Sequence, residues 1–302
     1  MQFIGNAKEG RRGVQFYAGG ILLLLTLYIL GSLPLLLLWE RQFPAQELTL
    51  TDAHQIDQFG PLQLYFWMLF PFVLIFFGLI LYLVKVHRRN ILSLFTSAKS
   101  FRWSRFFWFA CFVLLFQSLF TVLQWWVFSD TQNATIYWNF EPNKFFPLLL
   151  LSLVLIPIQA TAEELIFRVY ALQGLFARTG KVWLSMLLSA VFFATVHGSN
   201  PEIQALGPAI IFYYFLAGLF LALISVQDNG IELSMAYHTS NNLFSAAVVS
   251  SSWQVFHTEA LWLDSSEPGS ASSYLIAGIL SFTFLYLILA KKFNWNPIGA
   301  LR

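Results

Sequence analysis

Glu163 and Glu164 stand side by side inside a long apolar stretch, and Arg168 follows four residues after the second of them. Carboxylates at membrane depth are costly unless paired or protonated. In a helix, Glu164 and Arg168 share one face with the acid on the N-terminal side, the orientation that favours pairing. Glu163 is turned about 100° away and gains no such partner locally. One glutamate is braced and the other is available, and an available carboxylate in a dry site suits a general base. Two more patches carry unusual groups: Phe193-Ala194-Thr195-Val196-His197, and His238-Thr239-Ser240-Asn241-Asn242. His238 and Asn242 are four apart and point to one face of a helix. A lone histidine in a span is more often a hydrogen-bonded core residue, and a Glu-Arg pair alone reads as a brace. Two glutamates, two histidines and an asparagine together resist that explanation, because the bilayer penalises each separately. His54, His87 and His257 fall in loops or at interfaces and receive no role.

The elements that must position these groups follow from composition. Of 302 residues, 58% are hydrophobic and 11% are charged, with a mean hydropathy of +0.65. Soluble domains carry about 25% charged residues because their surface faces water, so the solvent here is the bilayer. A net charge of +2 gives no reason to expect a nucleic-acid partner. Cys111 stands alone, which excludes an intrachain disulfide. The first apolar run is too long for the core of a signal peptide and is expected to be retained as a span. Runs of spanning length fall near 14–38, 61–84, 106–128, 146–176, 182–199, 205–226, 231–251 and 273–290. The expected fold is an all-α integral membrane bundle of about eight transmembrane helices.

Eight spans place Lys8, Arg11, Arg12, the basic loop 85–105, Arg178, Lys181, Lys291, Lys292 and Arg302 on one side. Arg41 and Lys144 remain on the other, among most of the loop acids. The positive-inside rule then makes both termini cytoplasmic. The loop 85–105 mixes bases with Ile91, Leu92, Phe101 and Trp103; it is either an interfacial helix or an ordinary basic loop. Glu163 and His197 lie 17 residues on either side of Gly180, so both climb about 25 Å at 1.5 Å per residue. His238 begins closer to its own turn at Asn229-Gly230 and is expected to sit shallower unless its helix tilts or starts unwound.

In the order Glu163-Glu164…Arg168, Phe193…His197 and His238…Asn242, these motifs resemble the CAAX protease and bacteriocin-processing family of intramembrane proteases, which includes the type II CAAX prenyl endopeptidases. The resemblance covers about residues 145–251. It implies a division into 1–144 with three helices, a catalytic core over 145–251, and 252–302 with a loop, the last helix and a tail. It also implies that Glu163 activates water with help from His197. His238 and Asn242 would stabilise the oxyanion, while Glu164, Arg168 and Phe193 hold the site in shape. Metal dependence stays open. A metal-free glutamate mechanism is preferred, since no His-Glu-x-x-His occurs; zinc, if present, would take His197, His238 and Glu164. The expected activity is hydrolysis of a membrane-associated peptide near the cytoplasmic side of the bilayer. A prenylated C-terminus, a leader-type peptide or a single-span protein would serve as substrate. A non-proteolytic immunity or scaffold protein and a proton-coupled transporter are the alternatives. The expected location is a bacterial plasma membrane, or the endoplasmic reticulum in a eukaryote. The sequence leaves substrate identity and oligomeric state undetermined.

Overall fold

With no water inside a bilayer, backbone groups must bond within their own segment, which leaves helices for a chain of this hydropathy. The computed structural model describes residues 2–48, 52–128 and 136–296, and it is an all-α membrane bundle. Helices α1 (Val14–Gln42), α2 (Pro61–Lys85) and α3 (Trp103–Phe128) form the first half. Helix α4 (Pro142–Glu164) continues through π-helical turns at Leu165–Leu172 into a last α-helical piece, Gln173–Thr179. Next come α5 (Val182–Val196), α6 (Ile211–Asp228), α7 (Glu232–Leu243) and α8 (Ala271–Phe293).

Among the described residues, six helical segments are long and apolar enough to cross a membrane: α1, α2, α3, α4 with its continuation, α6 and α8. The other two expected spans are short. Helix α5 has 15 residues, and α7 has 12 before π turns extend it over Phe244–Val248. Helix α7 is enclosed by protein, every residue from Glu232 to Ser240 being buried. Its polar groups therefore face neighbours, where they can be bonded, and not hydrocarbon. The outward leucines of the apolar helices, such as Leu22, Leu37, Leu115 and Leu150, are by contrast largely exposed.

One end of the bundle gathers the basic segments. The 85–105 connection holds a five-residue helix, Ile91–Phe95, and folds against the start of α7. There the Ile231 amide donates to the Phe95 carbonyl at 2.8 Å, and Arg102 pairs with Asp228 at 2.8 Å and Glu232 at 2.6 Å. The backbone amide of Gln2 donates to Asn229 Oδ1 at 2.6 Å, and Gln227 Nε2 donates to the Asn296 carbonyl at 3.4 Å. Both described ends of the chain thus meet the same α6–α7 turn.

The opposite end carries a small sheet that the hydropathy reading did not contain. Strands β1 (Ile136–Trp138), β2 (Val249–Ser251) and β3 (Trp262–Asp264) lie in the order β1-β3-β2, with β1 antiparallel and β2 parallel to β3. Tyr137 and Ser250 both sit opposite Leu263. Segments of three residues have no alternation to detect. The β2 residues also belong to the apolar run that was expected to remain helical to its end.

Candidate active site

The three motifs converge. Glu163 and Glu164 end the regular part of α4, His197 caps the C-terminus of α5, and His238 and Asn242 lie on α7. Glu163 Oε2 is 3.6 Å from His238 Nε2 and 4.0 Å from His197 Nε2. The expected depth mismatch of His238 is thereby closed. The π turns below Glu164 shorten the climb of α4 only in part; α5, which carries His197, contains none, so helix pitch does not account for the meeting of the two histidines.

Each imidazole is oriented through its other nitrogen. His197 Nδ1 lies 2.7 Å from the Phe193 carbonyl oxygen. A carbonyl can only accept, so this nitrogen carries the proton, and in the neutral ring Nε2 presents a lone pair towards Glu163. His238 Nδ1 lies 2.9 Å from Glu164 Oε1, and the same assignment follows for an ionised Glu164. These tautomers are inferred from bonding partners. The ring of Phe193 holds both histidines, 4.3 Å from His197 and 6.1 Å from His238 between centroids.

Glu164 and Arg168 are wholly buried and 3.3 Å apart, Oε2 to Nε, at the spacing that suggested a pair. The contact is close without being well aligned, since neither atom forms a hydrogen bond of normal geometry. Arg168 Nη2 also donates to the Gly218 carbonyl at 3.3 Å, and the guanidinium lies 4.9 Å from the Phe193 ring centroid. Glu164 therefore faces Arg168 and the back of His238, not the space between the two Nε2 atoms.

Glu163 is less free than its spacing implied. Gln159, one turn earlier, donates its amide to Glu163 Oε1 and accepts from Asn242 Nδ2 at 2.9 Å. Only Oε2 lacks a hydrogen-bond partner. Gln159 was missed because an amide in an apolar helix carries no charge signal. The one available hint was its position four residues before Glu163, within pairing distance on one face. On α7, Asn241 Nδ2 donates to Asn242 Oδ1 at 3.3 Å, and Gln117 of α3 donates to Asn241 Oδ1 at 2.8 Å. Among the described residues, Asn242 Nδ2 donates to Gln159 alone, which leaves its second amide hydrogen uncommitted.

These groups border a cavity of about 1640 Å³, whose other walls are mostly apolar side chains, among them those of α1, α2 and the loop after β2, with Glu202 and Arg178 also on its lining. Its contents can do hydrolytic chemistry: a carboxylate oxygen, two imidazole nitrogens and an amide donor around one space. A zinc site fits less well. Glu164, the carboxylate of the expected ligand set, is engaged elsewhere, and among the described residues no three His, Cys, Asp or Glu side chains are grouped to hold a metal.

Residues 143–244 match a family model described as type II CAAX prenyl endopeptidase Rce1-like. The uncharacterized protein YyaK of Bacillus subtilis (strain 168) is 31% identical over 106 residues, or 35% of this chain and 36% of that protein. The chain thus covers about a third of the length of this relative. No solved structure matches. The resemblance read from the three motifs is borne out over this segment, which is similar to the CAAX protease family. The match is one of similarity to CAAX-type endopeptidases over residues 143–244, within a chain whose apolar helices make it an integral membrane protein.

Proposed function

We propose, from the Rce1-like match of residues 143–244, that this chain is an intramembrane endopeptidase that hydrolyses a membrane-associated peptide with a glutamate-activated water. The observation that carries the reading is the approach of Glu163 Oε2 to both imidazole Nε2 atoms at the wall of the cavity. Gaps of 3.6 and 4.0 Å are too long for direct hydrogen bonds. A water off the line between the atoms, about 2.8 Å from each, bridges them. Glu163 takes a proton from this water while its oxygen bonds to the scissile carbonyl carbon. The resulting oxyanion accepts from the uncommitted Asn242 N–H and from His238, which donates through Nε2 only as the imidazolium. Glu164 at Nδ1 offsets that positive charge. Glu163 then passes its proton to the leaving nitrogen as the oxyanion re-forms the carbonyl and the carbon–nitrogen bond breaks, yielding a carboxylic acid and an amine. His197 positions the water, and no step requires a metal.

The apolar walls favour a substrate that enters from the lipid: a prenylated C-terminus, a leader-type peptide or a single-span protein. The basic end of the bundle is assigned to the cytoplasm, with both termini there, which reporter fusions at each end test. The bacterial relative favours a bacterial plasma membrane, to be checked by fractionation.

The test compares membranes of cells carrying wild-type or Glu163→Gln protein at equal expression, with uncut substrates identified by mass spectrometry. Removing the base is expected to lower turnover by about 10²–10⁴-fold, and His197→Ala and His238→Ala are expected to fall with it. Wild-type cleavage by Glu163→Gln would sink the assignment of the base. Cleavage lost only through changes elsewhere on the cavity wall would favour a binding protein.

A further inference from the structure

A second carboxylate borders the same cavity on the far side of His197. Glu202 lies in the short helix Pro201–Leu206 that joins α5 to α6. Its Oε1 accepts from the Val255 backbone amide at 3.0 Å. Its Oε2 is buried without a hydrogen bond of normal geometry, although the Tyr214 hydroxyl lies beside the carboxyl. The ring of Tyr214 stacks on His197, 4.6 Å between centroids and 26° from parallel, and its hydroxyl accepts from Asn200 Nδ2 at 3.3 Å. Glu202 is therefore one tyrosine ring away from the reacting groups.

Among the described residues, no cationic side chain accompanies this carboxylate. Burial pushes the Glu202 carboxyl up from the ordinary value, and what opposes it is hydrogen bonding, without a cationic neighbour. Arg178 lines the cavity too, but it sits at the Gly180 end of the bundle. The reacting end holds Glu163 and Glu202. A buried carboxylate lacking a counter-ion is unfavourable, and a cation that arrives with a ligand relieves that cost only while the ligand is bound. The Val255 contact alone does not explain the acid, because a glutamine would accept from that amide equally well.

We infer that Glu202 is a specificity residue that receives a lysine or arginine side chain of the substrate, close to the scissile bond. This rests on the peptidase reading, so two measurements separate the claims. Full-length protein in proteoliposomes is given acylated, internally quenched peptides that place a single lysine, glutamine or glutamate at each position around the cleavage point. At one position, wild type is expected to prefer lysine over glutamine by at least about 30-fold in kcat/KM, the lower end of the loss seen when a buried ion pair loses one partner. That ratio falls to about one in Glu202→Gln, which keeps the Val255 contact, and Glu202→Lys shifts the preference to glutamate. A lysine-to-glutamine ratio unchanged in both variants overturns the proposal and leaves Glu202 as a strap for the 252–258 loop. The second measurement is binding of the same peptides to Glu163→Gln protein with and without Glu202→Gln. Lysine-selective binding that depends on Glu202, in a chain whose wild type cuts no peptide, would retain this site and discard the peptidase reading. Loss of lysine selectivity in neither assay would discard the site alone.

Discussion

Arg168 is fully buried against Glu164 and the Gly218 carbonyl, and Glu164 turns its carboxylate to Arg168 and His238. Removing the acid strands a fully buried guanidinium. Glu164→Ala is therefore expected to destabilise the protein by about 3–5 kcal/mol, read as a lower melting temperature in detergent, with Arg168→Leu in the same chain recovering part of the loss. A melting temperature unmoved by Glu164→Ala would remove the brace from the account. The pair itself was legible, because Glu and Arg four apart in an apolar run have few other ways to be satisfied. Gln159 was not. Its importance arises only when α7 brings Asn242 to its carbonyl oxygen, a contact between residues 83 apart, and no local pattern encodes it. The same blindness made Glu163 look wholly free, when only one of its two oxygens is.

Elements hold these residues through close helix contacts that hydropathy does not record. The spans of α1, α2, α6 and α8 could be drawn from apolar runs alone, since length and bilayer thickness leave little choice. The shortness of α5 and the enclosure of α7 could not, because a run of apolar residues does not say whether lipid or protein covers it. Gly218 shows how tight the packing is. A Cβ there would lie 3.0 Å from Phe193 Cβ and 3.1 Å from the Cα of Ala190, so α5 and α6 approach at a small-residue contact of the kind that membranes favour. Ala190 belongs to backbone that cannot turn aside, and Phe193 is the ring against which both histidines rest. Gly218→Val is thus expected to push α5 outwards and to lower turnover by at least about tenfold, since misplacing reacting groups by about 1 Å can cost about 10²-fold. The check is turnover per folded molecule, with folding scored by monodisperse elution. Wild-type turnover in Gly218→Val would show that the site tolerates a shift of α5.

At the scale of the whole molecule, basic segments far apart in sequence are brought to one end, and His87 is where several of them lock. His87 is 2% exposed, and its Nδ1 lies 2.8 Å from the Arg11 carbonyl oxygen. The rings of Tyr17, Tyr82 and Tyr170 surround it at 5.0, 5.5 and 5.7 Å. Nothing in its neighbourhood along the chain singles it out, since a histidine in a basic loop has no pattern that marks burial. Burial pushes its pKa below the ordinary 6.5, the charge of Arg89 acts in the same direction, and the Arg11 carbonyl opposes them in part. The folded protein therefore binds fewer protons here than the unfolded chain. The stabilising contribution is fully present above pH 6.5 and is lost as pH falls from there through the depressed folded value. His257, also lowered by burial, adds a share of the same sign, so replacing His87 removes part of the slope and not all of it. His87→Phe keeps an aromatic ring among the tyrosines and cannot titrate. Its melting temperature in detergent is expected to decline less than that of wild type between pH 7 and 5. Parallel declines in the two proteins would mean that the lock formed by α1, α2 and the π turns of α4 does not depend on a neutral His87.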